Sequence, residues 1–244
     1  MNILIIANGP LPSLDQLRHE AESADLVIAA DGGAVYILAA KLFPDLIIGD
    51  LDSVPQAALD TLREAEVEVL KFPAHKNETD LELAVAEAIK RGATSITIMA
   101  AVGGRLDQTL ANVFLLAQPQ FSGVPIRICT EREEVFVVRN QALIHGAVGD
   151  TVSLIPLTAH ARGVTTRGLE YPLEDGVLHF GPTLGISNRL YSEEGMVALR
   201  EGLLLVVHET GGGTATAAAV APHAERDAVS EGSKSNTIHT EPDE

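Results

Sequence analysis

The sequence predicts an α/β domain with a mainly parallel sheet, followed by an all-β sandwich domain. From residue 2 to about 130, short apolar runs alternate with helical patterns, as in βαβ units with helices on both faces of a parallel sheet. After about residue 133 the helical periodicity disappears, and short strands recur between Gly, Pro and Asp turns. We therefore expect an α/β domain over 1–132, a β-sandwich over 133–209 and a disordered acidic tail over 210–244.

In the first half, apolar runs and helical periodicity assign each element in turn. The apolar runs predict strands at NILIIA, DLVIAA, LIIG, VEVLKF, SITIMA and VPIRIC. Helices are expected near 13–23, near 33–41, from Pro55, over LELAVAEAIKRG and over LDQTLANVFLLA. In the last of these, one apolar face is formed by Leu106, Leu110, Val113, Phe114 and Ala117.

In the second half, the predicted strands are EVFVVRN, TVSLIPL, GVLHF and MVALR, with GLLLVVHE as the final strand. The segment that follows is poor in large apolar residues and rich in small and polar ones, which is typical of a disordered tail. We expect truncation after Glu209 to leave function intact.

Composition and charge exclude several classes of protein. With 244 residues and 46% hydrophobic content, the chain can bury one large core or two modest ones. A net charge of -17 argues against nonspecific binding to nucleic acid or to an anionic membrane, because both need a basic surface. A cationic or metal-bridged ligand fits this charge better. Cys129 is the only cysteine, so an intramolecular disulfide and a thiolate cluster are excluded, and a reducing cytoplasm is expected.

Chemistry is expected at the carboxyl ends of the strands, where open α/β sheets bind their ligands. The stretches that lie there are ANGP (7–10), ADGGA (30–34), IIGDLDSV (47–54) and AVGGRLDQT (101–109), with KNETD (76–80) opening a helix. No GxxxxGK[ST], no GxGxxG after a strand and no HExxH occurs, so the common nucleotide and zinc templates are excluded. Acids, glycine turns and an arginine on one rim predict a Mg-nucleotide site.

The two acids in IIGDLDSV are the clearest sign of a cation. Asp50 and Asp52 repel each other unless water or a cation lies between them. Asp52 or Ser53 could instead cap the following helix, but a cap needs only one such residue. Mg²⁺ is usually held by one or two carboxylates plus substrate phosphates, and Asp80 can supply a third carboxylate.

The other stretches leave two interpretations open. The glycines of ADGGA can admit a phosphate or ribose, or can simply form a tight turn. Arg105 and Asp107 can hold a phosphate, or can form a helix cap and a surface ion pair. Asn77 or Thr79 can cap the helix that KNETD opens. The eight histidines are scattered and are interpreted as ordinary residues.

The stretches ADGGA, PDLIIGDLDSV, KNETDLELA, GGRLDQTLANVFLL and GLEYPLEDGVLHFGPTLGISN together resemble the thiamine pyrophosphokinase family. They follow the family's order over most of residues 2–208. The resemblance implies transfer of a pyrophosphoryl group from ATP to the hydroxyethyl group of thiamine, giving thiamine diphosphate and AMP, with Mg²⁺ required. It also implies a homodimer, with each active site between the α/β domain of one subunit and the β-sandwich of the other.

The resemblance also implies roles for individual residues. The metal and phosphate-handling carboxylates would be Asp50, Asp52 and Asp80, with Arg105 and Asp107 beside the reacting groups. ATP would be bound by Asp31, Gly32, Gly33, Asn77, Thr79 and Gln108, and thiamine by Ser187 and Asn188. A metal-bound Asp is a poor base, so Asp107 is the preferred residue to orient or deprotonate the thiamine hydroxyl.

Three questions stay open at this point. Tyr171 stands near a position where some relatives carry tryptophan, and it is expected either to stack on thiamine or to pack in the sandwich. A thiamine- or nucleotide-responsive sensor without activity is one alternative function. A Mg-dependent nucleotide hydrolase is the other.

Overall fold

The structure, a computed structural model, describes residues 1–210 and 219–220, and its first half alternates strands and helices. The strands of this half are β1 Asn2–Ile6, β2 Leu26–Ala30, β3 Leu46–Gly49, β4 Glu68–Lys71, β5 Ser95–Met99 and β6 Ile126–Cys129. The helices are α1 Leu14–Glu22, α2 Gly33–Ala39, α3 Gln56–Glu64, α4 Asp80–Lys90 and α5 Leu106–Leu115. All of the strands and helices predicted for this half are confirmed.

These six strands form a parallel sheet in the order β6-β5-β1-β2-β3-β4. The chain moves outward from β1 to β4 and then returns to the other side of β1 with β5, so the strand order reverses between β1 and β5. Helices α1, α2 and α3 contribute to the core on one face of the sheet, and α4 packs on the other face. Both faces are therefore covered, which explains the continuous apolar runs of the strands.

The second half consists of strands. They are β7 Glu133–Val138, β8 Gln141–His145, β9 Thr151–Pro156, β10 His160–Arg167, β11 Gly176–His179, β12 Asn188–Arg189, β13 Glu194–Ala198, β14 Leu204–Glu209 and β15 Ala219–Val220. Strand β7 pairs antiparallel with β6, so the first sheet continues as β7-β14-β9-β12. The second sheet has the order β11-β10-β13-β8-β15. Apolar residues of both sheets form one core between them, and the predicted β domain is confirmed.

The two halves share a sheet because of the β6 and β7 pairing. The backbone of Arg127 is the register partner of Phe136, on the other side of the predicted boundary at residue 132. The exact domain limits therefore stay a prediction. Most of the predicted tail lies outside the described residues. Within it, Thr210 N donates to Arg132 O at 2.8 Å, and Ala219–Val220 pairs with β8.

The predicted apolar face of α5 exists, but much of it faces outward in the single chain. Leu106, Leu110 and Phe114 are 71%, 44% and 52% exposed. Leu115, one position beyond Phe114, is buried and carries the contact with the sheet. Within the described residues, no helix is both long and apolar enough to cross a lipid bilayer.

Candidate active site

A cleft of about 300 Å³ opens at the carboxyl ends of β1, β2, β3 and β5, next to the point where the strand order reverses. This is where open α/β sheets bind ligands. Its polar lining comes from all five of the stretches singled out in the sequence and from one further residue of α5: Asn8, Asp31, Asp50, Asp52, Ser53, Thr79, Asp80, Gln108 and Asn112. Residues spread over a hundred positions of sequence are thus brought to one place.

Three carboxylates in this cleft can share one cation. Asp31, Asp50 and Asp52 each offer an oxygen, and these oxygens all lie within 4.8 Å of one another. Asp31 is 6% exposed, and its Oδ1 has no hydrogen-bond donor, while its Oδ2 accepts from Asn8 Nδ2 at 3.4 Å. A buried carboxylate oxygen without a donor is costly unless a cation reaches it. The trio therefore fits a hard, oxygen-binding cation.

The turn after β3 presents Asp50 and Asp52 to the cleft instead of using them as a cap. Leu51 has a positive φ of 68°, which turns the chain between the two acids. Asp52 N donates to Asp50 Oδ1 at 3.3 Å, and Ser53 Oγ donates to Asp52 Oδ1 at 3.0 Å. Helix α3 begins after Pro55 without any side-chain cap. The interpretation of Asp52 or Ser53 as a helix cap is therefore wrong.

Asp80 lies beside the trio and has a different partner. Its Oδ1 is 2.8 Å from Lys76 Nζ. A Cβ built on Gly49 would lie 3.3 Å from Asp80 Cγ and 3.1 Å from Asp31 Cβ, so the glycine lets both acids approach the end of β3. Thr79 caps α4 by accepting from Glu82 N at 3.2 Å.

The two glycines of ADGGA allow close packing at the start of α2. A Cβ on Gly33 would lie 2.0 Å from Ile6 O, and a Cβ on Gly32 would lie 2.1 Å from Asn8 Oδ1. Only glycine lets the helix begin against β1. This packing role is independent of the predicted contact with ATP, which stays a prediction.

Arg105 and Asp107 form an exposed bidentate ion pair just before and inside the first turn of α5. The Arg105 Nη2 to Asp107 Oδ2 distance is 2.6 Å, and the Nε to Oδ1 distance is 3.1 Å. The hydrogen bonds from Arg105, with a further one from the backbone of Gln108, lower the pKa of Asp107 below its usual range. The same pairing raises the pKa of Arg105. Neither side chain lines the cleft, although Gln108 does.

Two asparagines of the cleft were not among the predicted site residues. Asn8 follows β1, and Asn112 Nδ2 donates to Ala101 O at 2.7 Å. Their sequence signals are modest: Asn8 is the first polar residue after an apolar run, and Asn112 lies off the apolar stripe of α5. Asn77, which was predicted to contact ATP, is exposed and does not line the cleft.

Ser187 and Asn188 lie in the β half and do not line the cleft of their own chain. Ser187 is exposed and has a positive φ of 58°, an uncommon conformation for serine. Asn188 is buried, and its side chain bonds the backbone of Tyr171. Tyr171 is 65% exposed and does not pack in the sandwich core.

Comparisons with known proteins agree across both halves. Residues 17–129 match the family described as thiamin pyrophosphokinase, catalytic domain, and residues 134–204 match its vitamin B1 binding domain. The chain is 28% identical to a thiamine pyrophosphokinase of Bacillus subtilis over 210 residues, which cover 85% of this chain and 98% of that protein.

Solved structures show the same likeness. The crystal structure of the B. subtilis thiamine pyrophosphokinase aligns with a TM-score of 0.77, covering 86% of this chain and all of that one. The thiamin pyrophosphokinase of Geobacillus thermodenitrificans aligns with a TM-score of 0.75 at 29% identity, covering 86% of this chain and 98% of that one. With both of its domains matched in order, and with the four aspartates of the cleft inside the matched catalytic segment, this chain belongs to the thiamine pyrophosphokinase family.

Proposed function

We propose that this protein is a thiamine diphosphokinase, which transfers the pyrophosphoryl group of ATP to the hydroxyl of thiamine and releases AMP. The observation that carries the proposal is the cluster of Asp31, Asp50 and Asp52, with its unpaired buried oxygen, at the strand reversal of a chain that matches both domains of the family. Phosphoryl transfer depends mainly on positioning and charge neutralisation. This cleft has the groups for both.

Mg²⁺ is the cation we expect here, because the donors are all carboxylate oxygens. Asp50 and Asp52 would hold it together with Asp31, and Asp80 is proposed as a further ligand. When bound with ATP, Mg²⁺ would offset the negative charge of the phosphates.

The chain's own residues have separate tasks in the reaction. The thiamine hydroxyl oxygen forms a bond to the β-phosphorus of ATP, the bond between that phosphorus and the bridging oxygen of the α-phosphate breaks, and AMP leaves with that oxygen. The hydroxyl proton is released to water. Because its pKa is lowered, Asp107 is a weak proton acceptor and stays ionised. We therefore assign Asp107 to orienting the hydroxyl, and Arg105 to the transferred group once the pair opens.

For ATP itself, the support differs between residues. Asp31, Thr79 and Gln108 line the cleft. Gly32 and Gly33 directly follow Asp31. Because neither residue has a Cβ, a phosphate can approach their backbone N–H groups closely. Asn77 lies outside the lining and has the weakest support among the proposed ATP contacts.

The thiamine end of the reaction requires the β half. Thiamine carries a cationic ring, which suits a chain with a net charge of -17 and an exposed Tyr171 face. Ser187, Asn188 and Tyr171 lie away from the cleft of their own chain, and the apolar face of α5 beside that cleft is exposed. Both facts support a homodimer in which each cleft is completed by the sandwich of the other subunit. We place this enzyme in the cytoplasm.

The decisive experiment measures AMP formation from ATP and Mg²⁺, with and without thiamine, for the wild type and for Asp50→Asn and Asp107→Asn. Thiamine-dependent AMP that is lost in Asp50→Asn is the expected result. AMP formation without thiamine would show a nucleotide hydrolase, and thiamine binding without any turnover would show a sensor. Near wild-type turnover of Asp107→Asn would remove the orienting role.

A further inference from the structure

The basic side chain of Lys76 forms an ion pair with Asp80, one of the carboxylates that line the cleft. Its Nζ lies 2.8 Å from Asp80 Oδ1 and donates to Pro73 O at 3.2 Å. The side chain of Lys76 is 12% exposed, and that of Asp80 is 26% exposed. Among the described residues, no other Lys or Arg forms an ion pair with a carboxylate that lines the cleft. The ammonium group is thus held by a hydrogen bond to Pro73 O and by an ion pair with Asp80, which lines the cleft.

The charge of the cleft requires such a group. Four carboxylates line it, and ATP brings several more negative charges to the same place. One divalent cation does not balance that total. Neither Arg105 nor Lys76 lines the cleft, but Arg105 pairs with Asp107 outside it, whereas Lys76 pairs with Asp80, a residue of the lining.

The low exposure of the Lys76 side chain also distinguishes it from ordinary surface lysines. An exposed Lys–Asp pair contributes little to stability, and a lysine that is nearly buried loses hydration and side-chain freedom. An ammonium has three donors, and Lys76 uses one of them in the hydrogen bond to Pro73 O, while its contact with Asp80 is an ion pair. Donors are therefore left for a further acceptor. A phosphate oxygen would complete the set.

We propose that Lys76 is a catalytic residue that donates a hydrogen bond to the pyrophosphoryl group being transferred, while Asp80 holds the ammonium in place. This inference rests on the proposed function. Lys76 stays protonated and exchanges no atoms with the substrate. Its positive charge stabilises the charge that collects on the phosphate oxygens as the bond to AMP breaks.

Binding and turnover of Lys76→Met, Lys76→Arg and Lys90→Met test the proposal. Lys90 is 77% exposed at the far end of α4 and pairs with Glu87, so Lys90→Met matches the charge change away from the cleft. Loss of a charge-assisted hydrogen bond predicts a fall of about 10- to 100-fold in kcat/KM for ATP in Lys76→Met. Lys76→Arg should retain most activity, and Lys90→Met all of it.

The internal control is AMP, which lacks the transferred phosphates. Calorimetry should show that Lys76→Met binds ATP and inorganic tripolyphosphate more weakly but binds AMP as the wild type does. Equal weakening for AMP, or unchanged tripolyphosphate affinity, would overturn the proposal and leave Lys76 a structural partner of Asp80. A wild type that forms no AMP with thiamine would refute the proposed function. The tripolyphosphate measurement needs no turnover, so it would still test the role of Lys76.

Discussion

At the scale of single residues, the side-chain amide of Asn188 holds the backbone of Tyr171. Asn188 is 7% exposed. Its Oδ1 accepts from Tyr171 N at 3.0 Å and from Arg189 N at 2.8 Å, and its Nδ2 donates to Tyr171 O at 2.7 Å. One side chain therefore satisfies both backbone groups of Tyr171, next to the bridge between Leu169 and Leu190. We infer that Asn188 fixes the position of the exposed Tyr171 ring.

This gives a prediction about thiamine affinity. Asn188→Ala removes about two hydrogen bonds that hold Tyr171, so we expect the KM for thiamine to rise by about tenfold. At saturating thiamine, kcat/KM for ATP should change little. In a Tyr171→Ala background the same substitution should have almost no further effect. Steady-state kinetics of the two single variants and the double variant complete the cycle. Fully additive losses would show that Asn188 contacts thiamine directly, as the sequence predicts.

The sequence predicts some residues of the site better than others, for physical reasons. The sequence predicts Asp50 and Asp52 as site residues because two close acids at the end of an apolar run repel each other unless water or a cation lies between them. Lys76 and Asn8 become significant only through folding, which buries the lysine beside Asp80 and brings the asparagine next to Asp31. The unpaired oxygen of Asp31 is likewise a property of burial and not of residue type.

At the scale of elements, the contact between α2 and β1 depends on Gly33. Alanine normally favours a helix by about 1 kcal/mol over glycine. Here the new Cβ would lie 2.0 Å from Ile6 O, a backbone atom in a central strand. We therefore expect Gly33→Ala to lower the free energy of unfolding by roughly 1–3 kcal/mol, because overpacking outweighs helix propensity.

Thermal and denaturant unfolding of the purified variant measure this change. Gly123→Ala is the matched control, since a Cβ at that position meets no atom within 4 Å and should leave the melting temperature nearly unchanged. A Gly33→Ala protein at least as stable as the wild type would show that α2 can move away from β1 at little cost.

The predictability of the elements follows from their burial. Strands β1, β2, β3 and β5 lie between two helical layers, so their apolar runs are continuous and easily recognised. Strands β8, β10, β12 and β15 were not predicted. Strand β10 contains Arg162, a bulge at Gly163 and two threonines, and β12 and β15 have two residues each. Their pairing partners, rather than their own sequences, define them.

At the scale of the whole molecule, the proposed parts of the site are separated within one chain. The acidic cleft belongs to the α/β half, while Ser187, Asn188 and Tyr171 belong to the β half and line no part of that cleft. The exposed apolar residues Leu110 and Phe114 lie on α5, which also supplies Gln108 to the cleft. A second subunit that covers α5 would bury these side chains and approach the cleft.

A site shared between two subunits predicts complementation between inactive variants. We expect Asp50→Asn to disable the cleft and Tyr171→Ala to weaken thiamine binding. In a heterodimer that carries one substitution on each chain, both defects fall in one site, and the other site is intact. We therefore expect the heterodimer, purified through two different tags and assayed at low thiamine, to have about half of the wild-type turnover per dimer.

The control heterodimer combines Asp50→Asn with Asp52→Asn. Both substitutions affect the α/β half, so each of its two sites carries one defect, and no intact site can form whichever way the subunits are arranged. If the sites were instead formed within single chains, the first heterodimer would only average the activities of its parents, and it would not exceed the better parent at low thiamine. Recovery in the first pair and none in the second requires that each cleft works with the β half of the other subunit, since sites formed within single chains would each keep one of the two defects.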